Sequence, residues 1–433
     1  MSNVINNIIW LMVERGVSLI GGLIVTIYVA RYLGPTDMGV INYAIAFSAI
    51  IIPIAQLGSE QIFFNRVSKK KISGEKLIIS TSRLRFGMYV FCAVSLFVFY
   101  KLRSGNVELN HVLIFIILLV STFFTSQDVY RVYFDGLLKS KLNTISASIG
   151  LWCSLVFRLL FVKMGLGVVW FAVPFLINTA VPFFIRRILF FKNIDVKLIS
   201  SRCRLKYLKF NIHAGVPLAI SGLSVVLYTR VNQIVVGEYI DMQSVAIYNS
   251  ALTLAQGWVF FPMAIVTTML AKVLSNEQST YKVGFGNIYA IVFIMSLPIL
   301  LLFYFFDDYI VLYSYGEQYI EASKFVFLLS LSSTLSIFAT ISSRAIIANG
   351  GYRYLMFRML FLSALNVLIS CTLVPMIGIQ GAVYSIFITE LIGTTFANIF
   401  FKRGMVITFM LSGVKSLLSF DFVQHLNSNG KSQ

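Results

Sequence analysis

The sequence is a succession of apolar stretches, each close to the length that a helix needs to cross a bilayer. About twenty mostly apolar residues suffice. By that measure the sequence predicts helices at residues 5–30, 39–63, 78–100, 111–131, 142–162, 166–191, 212–236, 244–273, 284–305, 322–347, 355–375 and 379–401. Charged residues make up only 12% of the chain, against about 25% in soluble domains. These features predict an all-α membrane protein of about twelve transmembrane helices.

Basic residues are concentrated in every second connection between the predicted helices. The first three of these connections carry their bases within Arg66–Lys76, Arg131–Lys141 and Arg186–Lys209, whereas the longest intervening connection is acidic, with Asp307 and Glu321. Positively charged connections stay on the cytoplasmic side of a membrane. The pattern predicts a multi-pass protein of the bacterial inner membrane with both termini in the cytoplasm. The net charge of +18 then reflects orientation in the membrane, not nucleic-acid binding.

The longest polar interval separates six predicted helices from six. We expect an N-terminal lobe at 1–191, a basic cytoplasmic linker at 192–211, a C-terminal lobe at 212–401, and a cytoplasmic or interfacial tail at 402–433. Shifting the chain by 207 positions aligns five identical pairs at matching places in the two halves: Ile27/Ile234, Val29/Val236, Tyr32/Tyr239, Asn42/Asn249 and Ala44/Ala251. Such a repeat predicts lobes related by a pseudo-twofold axis along the membrane normal, with a site between them. Chance similarity of apolar sequence is the alternative.

Among the ionisable residues within the predicted spans, the candidate functional residues are Glu14, Arg15, Arg158, Arg230 and Glu390. An ionisable group at the centre of a bilayer costs at least about 2.5–3.5 kcal/mol, so it normally faces protein or water. Helical spacing puts Arg15, Arg158, Arg230 and Glu390 on faces with small or polar residues, and Gln233 shares the face of Arg230. Such faces pack against helices or line cavities.

Three arginines facing a lumen predict an anionic substrate. Arg15, Arg158 and Arg230, with Gln233, are the predicted substrate-binding residues, because arginine binds phosphate oxygens in a bidentate manner. One close contact is worth about 4 kcal/mol at an effective dielectric constant of about 20. Two alternatives stay open: the arginines form structural ion pairs with Glu14 or Glu390, or these two glutamates bind a coupling proton or sodium ion.

The sequence contains no recognisable motif of an enzyme. The four cysteines and three histidines are scattered without metal-ligand spacing, so we expect no metal and no cofactor. The sequence also lacks a phosphate-binding Walker loop and a nucleophile elbow. We therefore expect a transporter driven by a gradient and not an enzyme.

Several short motifs resemble the Wzx-type O-antigen flippases, in the superfamily that includes lipid II flippases and multidrug/toxin extruders. They are residues 30–35 (ARYLGP), 55–58 (AQLG), 228–230 (YTR) and 246–251 (AIYNSA). The resemblance spans the chain to about residue 401. It implies a two-lobed protein of lipopolysaccharide biosynthesis that moves undecaprenyl-pyrophosphate-linked oligosaccharide to the periplasmic leaflet, alongside a polysaccharide polymerase and a chain-length regulator. The family often has an acidic residue two positions after the arginine of helix 7, where this chain has Asn232.

Two other functions are weighed against flipping. An antiporter of small organic cations belongs to the same superfamily, but its lumen should be acidic, whereas this chain places three arginines and two glutamates in its spans. An O-antigen polymerase is a membrane enzyme that typically presents a large periplasmic loop. The largest predicted outward connection here, around Asp307–Lys324, is short, which argues against a polymerase.

Overall fold

The computed structural model describes residues 2–104, 108–193, 201–275 and 280–418, and the extended elements within them are helices. The α-helices are α1 (Ser2–Ala49), α2 (Ile51–Gln56), α3 (Ser59–Lys69), α4 (Lys71–Ser104), α5 (Leu109–Gln127), α6 (Tyr130–Gly136), α7 (Ser140–Lys163), α8 (Val173–Lys192), α9 (Ser201–Tyr239), α10 (Met242–Gly257), α11 (Phe260–Ser275), α12 (Tyr281–Tyr315), α13 (Ser323–Ala348), α14 (Tyr352–Ile377), α15 (Ile379–Thr394), α16 (Phe396–Ile399) and α17 (Met405–Leu418).

Ten helical segments of the described residues are long and apolar enough to cross a membrane, and the bent pair α10 and α11, with 43° between its parts, makes an eleventh. One of the ten, Ile20–Gln56, covers parts of two predicted spans, 5–30 and 39–63. The difference from twelve therefore comes from this segment, in which two helices that meet at Gly34 count as one.

Gly34 marks the point where a turn between these two predicted spans was expected. Its backbone (φ 75°, ψ 172°) is not helical, yet helical residues continue on both sides within α1. A glycine tolerates positive φ without a Cβ clash, and the next residue, Pro35, is suited to the first turn of a new helix because it lacks an N–H to satisfy. The predicted loop is thus reduced to a kink at one residue.

A second break divides the predicted span 39–63 at Leu57 and Gly58. Both residues are left-handed (φ 46° and 62°) and separate α2 from α3. Helix α9 packs directly on this corner, since a Cβ on Gly215 would lie 2.1 Å from the Leu57 carbonyl oxygen. The motif at residues 55–58 therefore forms a tight corner that admits a neighbouring helix.

The chain divides into two compact units, Met1–Arg230 and Val231–Gln433. In the first unit, α3, α4, α6 and α8 share an aromatic core that includes Phe63, Tyr130, Tyr133, Phe183 and Phe190. The ring of Phe190 lies 4.9 Å from that of Tyr130 and 4.8 Å from that of Tyr133, centroid to centroid. This core fixes the helices that surround the buried arginines described below.

In the second unit, the described part of the tail forms α17, which packs along α12. The rings of Phe285 and Phe409 stack at 5.5 Å, and a Cβ on Gly413 would lie 2.6 Å from the Gly286 carbonyl oxygen. Residues 419–433 of the predicted tail lie outside the described residues. So do residues 194–200 of the predicted linker, after which α9 begins at Ser201, before the predicted start at 212.

Candidate functional site

Arg158 joins three helices of the first unit. From α7, its Nη1 donates a hydrogen bond to Thr26 Oγ1 of α1 at 3.1 Å, and its guanidinium carbon lies 4.4 Å from the centre of the Phe175 ring of α8. Thr26 in turn donates to the Gly22 carbonyl oxygen at 2.7 Å. Gly22 and Thr26 belong to the face of helix 1 on which the sequence predicts Arg15.

The charge of Arg158 has no counter-ion in the described part of the chain. None of the ion pairs there involves Arg158, and its contacts are a neutral hydroxyl and an aromatic face. A hydroxyl and a cation–π contact stabilise a guanidinium less than a carboxylate does. Arg158 is half-buried, so part of its surface stays accessible.

Arg230 and Gln233 lie one turn apart on α9. Arg230 is half-buried, whereas Gln233 is fully buried. The Gln233 Nε2 donates to Asn249 Oδ1 of α10 at 2.6 Å. Asn249 lies in the motif at residues 246–251, whose residues 246–248 are buried at the start of α10. Gln233 thus has a packing role between α9 and α10, and its assignment as a substrate ligand stays a prediction.

Glu390 is buried on α15. One turn further along that helix, the Gly393 carbonyl oxygen accepts a hydrogen bond from Arg358 Nη2 of α14 at 2.9 Å. Arg358 also donates through Nη1 to Ser343 Oγ at 3.3 Å. A fully buried arginine therefore lies beside the segment that carries Glu390, in a position that the sequence analysis did not anticipate.

Glu14 and Arg15 lie on α1, but their side chains are outside the described ones. The two glutamates and Arg15, Arg230 and Gln233 stay predicted site residues. Within the first unit, the structure brings Arg158 to the helix face where Arg15 is predicted.

Among the described residues, three fully buried arginines, Arg85, Arg186 and Arg358, were not among the candidates. Arg186 was counted only as an orientation charge of a basic connection. Arg186 forms an ion pair with Asp128 and donates through Nη2 to the Asn143 carbonyl oxygen at 3.1 Å. Arg85 lies 5.1 Å from the centre of the Phe63 ring. Asp128, placed 58 residues before Arg186, was the one sequence signal for a buried pair.

Chemically, guanidinium groups are able to bind anions. Uncompensated guanidinium groups in low-dielectric surroundings attract phosphate strongly.

Comparison with known proteins gives a family and a fold. Residues 4–270, more than half of the chain, match the model of a family described as polysaccharide biosynthesis protein. No curated protein matches the sequence at a significant level.

Several solved structures share the whole fold. The lipid II flippase MurJ in an inward closed conformation has 16% sequence identity and a TM-score of 0.73, over 97% of this chain and 93% of that chain. An inward-facing multidrug resistance MATE family transporter of the MOP superfamily has 17% identity and a TM-score of 0.66, over 97% and 96%. A MOP superfamily transporter from Pyrococcus furiosus, described as having a binding pocket of reverse polarity, has 16% identity and a TM-score of 0.59, over 90% and 95%. The predicted class of membrane fold is confirmed.

Proposed function

Because this chain belongs to the polysaccharide biosynthesis protein family, we propose that it flips undecaprenyl-pyrophosphate-linked oligosaccharide from the cytoplasmic to the periplasmic leaflet of a bacterial inner membrane. The fold that this multi-pass membrane protein shares with a lipid II flippase and a MATE transporter supports the proposal. We propose that transport proceeds by alternating access.

The environment of Arg158 is the main structural support for an anionic substrate. A guanidinium without a carboxylate partner, half-buried among α1, α7 and α8, costs free energy that a structural role would normally offset with a counter-ion. A pyrophosphate group supplies that counter-ion when substrate binds, and it accepts hydrogen bonds from the guanidinium in bidentate geometry. Arg15, Arg230 and Gln233 are the other proposed substrate-binding residues. Glu14 and Glu390 are the proposed groups for a coupling ion.

Deletion of the gene tests this function. We expect lipid-linked repeat units to accumulate in the cytoplasmic leaflet and surface polymer to disappear, measured by extraction of lipid-linked oligosaccharide and by gel analysis of the polymer. Re-expression of the chain should restore the polymer. The background must lack any second flippase.

The competing function, export of organic cations, predicts another phenotype. The fold is shared with a multidrug resistance transporter, and Glu390 is buried in α15. In that case the deletion strain would keep polymer of normal length and lose resistance to cationic dyes. This pair of outcomes would replace the proposal.

A further inference from the structure

The three fully buried arginines of the described residues differ in the partners of their guanidinium groups. Arg186 is paired with Asp128, and Arg358 donates to the Gly393 carbonyl oxygen and to Ser343. Arg85 is 2% exposed, and its Nε and Nη1 have no hydrogen-bond acceptor. Its guanidinium carbon lies over the face of Phe63, 5.1 Å from the ring centre. An aromatic ring offsets only a small part of the cost of burying a charge.

The charged groups around Arg85 include one carboxylate. The Tyr130 hydroxyl, on α6, lies within electrostatic range of Arg85, Arg187 and Asp128. Asp128, which lies just before α6, already forms an ion pair with Arg186. Asp128 is therefore not free to neutralise Arg85, and an anion beside Arg85 would relieve the cost of its buried charge.

The position of Arg85 along α4 suits contact with a lipid headgroup that enters from the cytoplasmic leaflet. It lies seven residues after Ile78, where the sequence predicts that the span begins, or about 10 Å along the helix at 1.5 Å per residue. The same helix begins at the predicted cytoplasmic side with Lys71 and Lys76. A lipid headgroup in the cytoplasmic leaflet would meet this depth of α4 first.

We infer that Arg85 is a further substrate-positioning residue, which receives the pyrophosphate group of a polyprenyl lipid when α3 and Phe63 move off its guanidinium. This inference rests on the proposed function and adds a second cationic binding site for the substrate, separate from Arg158. In the described state Phe63 covers the guanidinium. In the loaded state the phosphate oxygens accept the hydrogen bonds that Nε and Nη1 lack.

The test compares three purified variants with the wild type. Arg85→Met removes the charge and keeps much of the volume, Arg85→Lys keeps the charge without the bidentate geometry, and Arg83→Met removes an exposed arginine from the same helix. Each is titrated with farnesyl pyrophosphate and, separately, with inorganic pyrophosphate, and its thermal unfolding midpoint is measured. If inorganic pyrophosphate binds with the same dependence on Arg85, the ligand is a soluble anion. If only farnesyl pyrophosphate binds with this dependence, the ligand is the lipid headgroup.

We expect Arg85→Met to unfold at or above the wild-type midpoint, because it removes an unpaired buried charge. Its affinity for farnesyl pyrophosphate should fall about tenfold or more, Arg85→Lys should lie between, and Arg83→Met should bind as the wild type. Arg186→Met is the contrast in stability, since it leaves Asp128 buried without a partner and should lower the midpoint.

Wild-type affinity in a folded Arg85→Met protein overturns the inference, and so does lost surface polymer with unchanged affinity. If Arg85→Met does not fold, Arg85→Lys decides, with reduced affinity supporting the inference and wild-type affinity contradicting it. Should the deletion strain lose its polymer and Arg85→Met restore it fully, the proposed function stands while this inference fails.

Discussion

At the scale of single residues, substitutions of Arg158 give the clearest expected effect on transport. Arg158→Ala should abolish surface polymer while the protein still inserts at normal abundance, because no carboxylate is left unpaired by the change. Arg158→Lys keeps the charge but loses the planar group that stacks on Phe175, so transport should fall only partly. Polymer on the cell surface and protein in the membrane fraction are measured together.

Thr26→Val is the matched control for Arg158. It removes the hydroxyl that accepts the 3.1 Å hydrogen bond and leaves the charge and the aromatic contact in place. If Arg158 acts on substrate, this variant should keep most of its transport. Wild-type polymer from a well-expressed Arg158→Ala protein would remove Arg158 from the binding surface.

Sequence reasoning found Arg158 because a charge inside an apolar stretch stands out. It missed Arg85, Arg186 and Arg358 for a physical reason. A buried arginine near a helix end looks like an orientation signal, and only tertiary packing shows that Arg186 meets Asp128 58 residues earlier. Whether a charge is paired depends on side chains brought together from several helices, which a single sequence does not specify.

At the scale of helices, the contact between α12 and α17 depends on two glycines. A Cβ on Gly286 would lie 2.3 Å from Ser412 Oγ and 3.0 Å from the Gly413 nitrogen. We expect Gly286→Ala to force the helices apart and to cost about 1–3 kcal/mol of stability, the usual range for overpacking. The thermal unfolding midpoint of purified protein measures this loss.

Gly87 on α4 provides the control, since nothing lies within 4 Å of the Cβ that an alanine would add there. Gly87→Ala should be neutral or stabilise by up to about 1 kcal/mol through helix propensity. Equal midpoints for Gly286→Ala and the wild type would mean that α17 does not pack on α12 as described.

Helix existence was largely predictable from hydropathy, and so was the first helix break. The stretch around Gly34 and Pro35 carries the composition of a turn, and the structure joins two helices there at one non-helical residue. The break at Leu57 was not predictable. The corner at Leu57 was hidden because Leu57 adopts a positive φ that its residue type does not suggest. The helix α17 is short by the measure of a span, so its docking on α12 was invisible in composition.

At the scale of the whole molecule, topology is the first expectation. Tyr313 is 79% exposed near the end of α12, in the acidic connection predicted to be periplasmic. Lys139 is exposed between α6 and α7, in a basic connection predicted to be cytoplasmic. In a cysteine-free background, Tyr313→Cys should react with a membrane-impermeant thiol reagent in intact cells, and Lys139→Cys should react only after lysis. The reverse pattern would invert the orientation and with it the proposed direction of transport.

The most direct test of the proposed function is translocation by the purified protein in liposomes. A fluorescent, short-chain polyprenyl-pyrophosphate-linked oligosaccharide is placed in the membrane, and an impermeant quencher measures the fraction that stays protected as lipid moves between leaflets. Wild-type protein should speed this movement well above the rate in protein-free liposomes, and Arg158→Ala should return it to that baseline. Movement at the protein-free rate with the wild type, together with uptake of a cationic dye by the same liposomes, would contradict the flippase and leave an organic-cation transporter in its place.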